Sequence, residues 1–399
     1  VGRHWLDRER LTNYPRIFLA LYLLTAVALF ATSHGGLDPF HKPNGHDFIT
    51  FWAASKLALA GNPLGVYDVP TIVKVEWDTV PGFHTFNPWL YPPNFLLLVL
   101  PLALLPYFLS YALFMAATLS AYFAVVRRIF APPGSLPLLL AFPGIFINIL
   151  EGQNGFLTAA LAGGALLLLP SRPVWAGILI GLLTIKPQLG LLFPLALVCG
   201  GHWRALLAAA LTAVVFLGAS VALLGVETIP ASWHAMSTFP AWAIQEGRLA
   251  IKIPSFFAFA RLLGAPLPLA YALHGAVALP VAVAVGWVWR RCEDVCLRNC
   301  ALLAGSLLAT PYVLDYDLTW LGPAIAWFCA YAWRAGWLPG EREVLAALWV
   351  LPLVMLALAK LSHVQPGPLV LLLFLLMVLR RVRHRSAPPL LAAAAGPSA

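Results

Sequence analysis

Residues 45–60 read GHDFITFWAASKLALA, and the topology of the 399-residue chain depends on how they are read. The apolar part after Asp47 is too short to span a bilayer core, which takes roughly 20 helical residues. The run is stopped by Gly61-Asn62-Pro63 and carries Phe48, Phe51 and Trp52. It therefore predicts an amphipathic helix over 47–60 lying in the membrane interface. That places residues 34–92 in one long polar loop, with the carboxylate of Asp47 at the mouth of the helix.

The flanking sequence is that of a membrane protein. Hydrophobic residues make up 61% of the chain and charged residues only 10%, against about a quarter in soluble domains. Mean hydropathy is +0.84. Residues 17–33 follow the basic start (Arg3, Arg8, Arg10, Arg16) and predict a first span. No signal-peptide cleavage pattern follows that start, and a chain beginning at Val1 is expected to have lost an initiator or tag. Beyond the first loop, Pro101 and Pro106 divide 94–126 into a short re-entrant piece and a span that ends at Arg127-Arg128. Four short apolar segments follow, near 136–150, 155–169, 174–185 and 189–200. Short segments broken by polar Gly/Pro turns are tolerated in membranes where they line protein or a wet cavity. A span over 205–225 leads to a second long loop, 226–267. Further spans are expected at 268–289, 299–313, 318–333, 344–360 and 367–379.

The expectation is an all-α polytopic membrane protein of about 12 spans, a single domain over 1–385 and a disordered tail over 386–399. On this topology 17 of the 25 basic residues lie in inner loops, but only 6 of the 16 acidic ones. The positive-inside rule then puts both termini in the cytoplasm and the two long loops outside. The net charge of +9 is dispersed in short clusters between spans, which argues against a nucleic-acid partner. Cys292, Cys296 and Cys300 recur every four residues with no histidine beside them. That is a packed helix face rather than a zinc site.

The same topology collects the unusual polar residues on the outer face: Asp47, Tyr91, Gln153-Asn154, Lys186-Pro187-Gln188 and Asp315-Tyr316-Asp317. Ionisable groups at membrane depth are costly and mark function. Each also has a plainer reading. Asp47 suits a helix cap, Lys186 suits snorkelling, and Gln153 with Asn154 suits a tight turn. Asp315 and Asp317 suit pairing with Lys252 or Arg248. His46, His234 and His363 read as ordinary interface histidines.

Six motifs in order resemble glycosyltransferase family 87, polytopic enzymes of the GT-C superfamily that use polyprenyl-phosphate-mannose. They are His46-Asp47-Phe48 with Phe51-Trp52, then Gly61-Asn62-Pro63 with Tyr67-Asp68, then Tyr91-Pro92-Pro93. Gly152-Gln153-Asn154-Gly155, Lys186-Pro187-Gln188 and Thr310-Pro311-Tyr312 with Asp315-Tyr316-Asp317 follow. The resemblance spans roughly 45–320. It implies a catalytic base in the first outer loop, at Asp47, and a cavity open to a lipid-linked donor from the outer leaflet. Some members carry a histidine motif where this chain has Asp315-Tyr316-Asp317, so a phosphate contact there does not carry over directly.

The residues suit that chemistry. Phosphate leaves readily, so the requirements are a base for the acceptor hydroxyl and donors for the departing charge. Asp47 is the expected base. Lys186, Gln188, Arg248 and Lys252 are expected near the donor phosphate. His46, Trp52, Tyr91, Gln153, Asn154, Asp315, Tyr316 and Asp317 are expected around sugar and acceptor. Displacement by one base inverts the anomeric centre, giving an α-mannoside from a β-linked donor. No cofactor and no divalent metal are expected, and the partners are the lipid-linked donor, a lipid or glycan acceptor and membrane lipids. The expected site is the extracytoplasmic face of a bacterial inner membrane. The alternative reading is a transporter or flippase of a lipid-linked substrate, disfavoured by asymmetric loops and the lack of an internal repeat.

Overall fold

A computed structural model describes residues 5–245 and 249–386. Arg248 and the tail beyond Ser386 lie outside the described residues. Within them every regular element is helical, apart from isolated β-bridges His34–Leu37 and Leu37–Pro43.

α1 (Arg8–Thr32) starts earlier than its apolar run because the Asp7 carboxylate accepts the Arg10 N–H at 2.9 Å. α2 (Phe48–Leu59) forms where the short apolar run predicts it, but its surroundings differ from the expectation. Phe48, Ile49 and Phe51 are fully buried. The face expected against lipid packs instead under other aromatic side chains, with Phe51 5.2 Å from Phe95 and 6.1 Å from Trp89, ring to ring. α3 (Val69–Thr79) fills part of the expected loop, capped by Asp68 with Pro70 in its first turn, where a missing N–H costs nothing.

α4 (Pro93–Val99) runs on through a 3-10 turn to Leu104, and Pro106 separates it from α5 (Tyr107–Ile129). The next four predicted segments appear as broken helices. α6 (Leu136–Leu140) is split from α7 (Pro143–Glu151) by Pro143, and α8 (Gly155–Leu168) follows. α9 (Pro173–Leu182) continues as a 3-10 turn to Ile185, before α10 (Pro187–Gly190) and α11 (Leu192–Cys199). α12 (Trp203–Leu224) lies against α9, and Gly177 and Gly181 permit the approach. A Cβ at Gly177 would collide with the Ala205 carbonyl, the small-residue packing typical of membrane helices.

α13 (Thr228–Gln245) and α14 (Phe256–Leu262) occupy the second long loop, which the sequence reading left without a helix of that length. α15 (Leu267–Arg291), α16 (Val295–Ala309), α17 (Leu321–Ala335), α18 (Glu341–Ser362) and α19 (Gly367–Ser386) complete the chain. Cys292, Cys296 and Cys300 are buried, and none of them is in a disulfide.

By length and composition α1, α5, α12, α15 and α18 can each cross a membrane, and shorter apolar helices accompany them. The protein is thus an all-helical membrane protein. α16 and α17 run between two polar layers. One contains Asp294, paired with Arg334 at 3.6 Å, and Glu341, which is fully buried and held by Arg381 at 2.5 and 2.6 Å. The other contains Thr310, Asp315 and the residues described next.

Candidate active site

The turn between α7 and α8 organises this second layer. Glu151 ends α7, and Gly152 takes a left-handed conformation at φ 65°. A Cβ there would strike the Gly45 carbonyl, and one at Gly155 would strike the Tyr316 carbonyl. Only glycine, which lacks that atom, lets the turn sit between the two segments. Asn148 fixes it from below, donating to the Gln153 carbonyl at 3.1 Å and accepting the Gly155 N–H at 3.0 Å. On one side the Asp47 N–H donates to the Glu151 carbonyl at 2.9 Å. On the other side lies the 3-10 turn Asp315–Trp320.

Asp47 sits at the N-cap position of α2, yet its carboxylate makes no capping hydrogen bond. It accepts instead from the Gln153 side-chain amide at 2.9 Å. The Gln153 oxygen is in turn held by the Tyr91 hydroxyl at 3.0 Å and the Asn154 N–H at 3.3 Å. Capping therefore does not account for Asp47. Its carboxyl is pushed above the usual range by burial and by the neighbouring Glu151 charge, against the pull of Lys252, Gln153 and His46.

Two lysines and two further carboxylates close the layer. Lys186 is buried, 2.6 Å from Asp317, and its ammonium lies 4.4 Å over the Tyr316 ring. The other Asp317 oxygen accepts the Leu314 N–H at 3.0 Å. Lys252 pairs with Glu151 at 2.8 Å and stands 4.0 Å from Asp315. Its side chain is 28% exposed against 4% for Lys186, which makes Lys252 the more accessible of the two lysines. Burial raises Asp315 to about 7, with Lys252 opposing the rise. The two acids that would repel a phosphate are thus each set against a lysine.

The remaining expected residues fall as follows. His46 faces Asp38 at 3.2 Å and Glu151 at 3.9 Å. Asn154 is fully buried with neither side-chain amide atom hydrogen-bonded. Gln188 is half-buried beside Lys186. Trp52 points away, its indole donating to the Leu105 carbonyl at 2.9 Å with Lys56 over its ring. Among the described residues no group of three or more His, Cys, Asp or Glu side chains is placed to hold a metal.

Sequence reasoning passed over Glu151 and Glu76. Glu76 is fully buried on α3 and accepts the Asn87 N–H at 3.1 Å, while the Asn87 side chain donates to the His46 carbonyl. Burial raises its carboxyl to about 8, partly offset by the Asn87 bond. The folded state then binds a proton that the unfolded chain has lost by pH 7, so this group makes stability fall as pH rises from about 5 towards 8. Glu76→Gln is expected to flatten that fall, read as melting temperature in detergent across the same range.

The model of glycosyltransferase family 87 matches residues 89–314. This chain belongs to glycosyltransferase family 87. The matched stretch holds Tyr91, Glu151, Gln153, Asn154, Lys186 and Lys252, while Asp47 lies before it and Asp315 just after. Comparison with curated proteins and with solved structures gives no match. As a member of family 87 the chain is a membrane glycosyltransferase, acting on a sugar donor and an acceptor. In this glycosyltransferase Gly152→Ala is expected to displace the Asp47 loop and lower transfer by ~10²-fold, the scale of a 1 Å misplacement. Transfer by the purified variant against wild type, matched for folded protein, checks this.

Proposed function

We propose that this glycosyltransferase moves mannose from a polyprenyl-phosphate donor to a lipid or glycan acceptor, with inversion and with Asp47 as general base. The observation that carries the reading is the Asp47 carboxylate. It is free of helix capping, steered by Gln153, and faces a layer in which Lys252 is the accessible cation. In the reaction the acceptor hydroxyl loses its proton to Asp47 as its oxygen attacks the anomeric carbon. The bond from that carbon to phosphate oxygen breaks, and the electron pair leaves with the lipid phosphate.

Lys252 is assigned to that phosphate, with Gln188 and Arg248, the latter outside the described residues, proposed as further contacts. Lys186, committed to Asp317, orders Tyr316 and the floor of the site. Asn154, Tyr91 and Tyr316 are assigned to the sugar, whose hydroxyl groups suit the unpaired Asn154 amide. In the membrane this layer faces the extracytoplasmic side of a bacterial inner membrane, in a chain of about 12 crossings with both termini cytoplasmic. A lipid-linked donor suits that face, where nucleotide sugars are absent, and family membership favours transfer over transport.

The test is transfer of radiolabelled mannose from polyprenyl-phosphate-mannose into membrane lipid extract by purified protein in detergent. Label in a new glycolipid supports the reading. Transfer from a nucleotide sugar with none from the lipid donor overturns it.

A further inference from the structure

A carboxylate at the last residue of a helix is locally unfavourable, because the carbonyl end of the helix carries partial negative charge. Glu151 stands there on α7. Its place is not explained by helix formation but by three contacts across chain segments. Its carbonyl accepts the Asp47 N–H at 2.9 Å, its carboxylate accepts from Lys252 at 2.8 Å, and it lies 3.9 Å from His46. Resting on the reading of Asp47 as the base, we infer that Glu151 is a positioning residue that keeps Lys252 off Asp47 and preserves a basic carboxylate there.

Lys252 has three acidic neighbours and hydrogen-bonds one of them, Glu151. Glu151 lies closest and Asp315 stands at 4.0 Å, while Asp47 feels Lys252 only through its charge. If Lys252 paired with Asp47, it would hold the base in its least basic state, because an adjacent cation favours the ionised form of a carboxylate. Glu151 removes that competitor and adds a like charge beside Asp47. Both effects raise the basicity of Asp47. Glu151 itself stays ionised at about 2, since His46 and Lys252 outweigh its burial. It is therefore no rival for the acceptor proton near neutral pH.

The other groups that face Asp47 are His46 from its own loop, Glu76 from α3 and Tyr107 from α5. Tyr91 precedes α4, Lys186 leads into α10, and Asp315 and Tyr316 lie on the 3-10 turn. None of these bridges Lys252 and Asp47 as Glu151 does. Lys252→Met in the Glu151→Gln background isolates the contribution of the lysine.

The test reads Asp47 directly. Dicyclohexylcarbodiimide modifies protonated carboxyl groups, and peptide mass spectrometry gives the extent of labelling at Asp47 against pH. In the full-length wild-type protein the midpoint is expected above the ordinary carboxylate range. In Glu151→Gln it is expected to fall by ~1 pH unit or more, with the acidic limb of the transfer rate moving the same way. Glu151→Asp, which keeps the charge, should hold the midpoint near wild type. Adding Lys252→Met to Glu151→Gln should bring it part of the way back.

A purely structural role would lower transfer at all pH values without moving the midpoint, and an unmoved midpoint in folded Glu151→Gln overturns the inference. Failure of the underlying reading looks different. Asp47→Asn would then keep its transfer activity, whatever the labelling shows.

Discussion

Asp47→Asn is expected to lower sugar transfer by ~10²–10⁴-fold, the usual contribution of a positioned general base. The protein should fold as before. The asparagine amide is close in shape to the carboxylate and its oxygen can still accept from Gln153, now 2.9 Å from Asp47. Since Asp47 makes no capping bond, α2 loses no cap in the variant. Donor KM should stay within a few-fold of wild type, because the donor phosphate is assigned to Lys252. The wild-type rate should rise with pH through a midpoint above the ordinary carboxylate range, since Asp47 works only when ionised and its protonated form is favoured by burial and by Glu151. Radiolabelled transfer at several pH values checks both points. Undiminished transfer in Asp47→Asn would remove the base from this position and direct attention to Asp315, whose carboxyl burial raises to about 7 beside Lys252.

The second large effect is on stability. Lys186 and Asp317 form an ion pair 2.6 Å apart with side chains 4% and 0% exposed. Removing one partner of such a pair leaves the other charge buried and uncompensated, at a cost of about 3–5 kcal/mol. Lys186→Met is expected to show that loss as a lower melting temperature in detergent. Lys186→Met with Asp317→Asn should recover most of it, because asparagine keeps an acceptor for the Leu314 N–H and carries no charge. A lysine whose work is to bind phosphate would behave otherwise. Its loss would raise donor KM at nearly unchanged stability, and the double variant would repair nothing.

Much of the helical framework is legible in the sequence, because proline and glycine punctuate it. Pro173 and Pro187 begin helices where the apolar segments predict breaks, while Pro143 splits the segment expected to run unbroken over 136–150. Gln153, Lys186 and the Asp315–Asp317 turn lie in one layer with Asp47, while Trp52 points away from it. Other features depend on tertiary contacts that periodicity does not report. The apolar side chains of α2, read from sequence as lying in the membrane interface, are instead buried in protein by Phe95, Trp89 and Phe114. The pairing of each lysine with one particular acid joins residues 131 and 101 positions apart. Glu151 directly precedes the Gly152-Gln153-Asn154-Gly155 motif, but its chemistry is not legible there, since nothing local says that Lys252 will reach it. A negative charge at a helix C-terminus was the one available signal.

The lengths of α16 and α17 bear on how a substrate arrives. Each has 15 residues, or about 22 Å of helix, between two polar layers that a bilayer core of about 30 Å would hold further apart. A bilayer meets such a mismatch by thinning around the protein. On the proposed topology, with α16 and α17 as crossings, the floor of the candidate site would lie below the average level of the surrounding headgroups. A lipid phosphate reaching Lys252 would slide sideways down a local dimple, its tail still in the leaflet, and the acceptor would meet it from the water above.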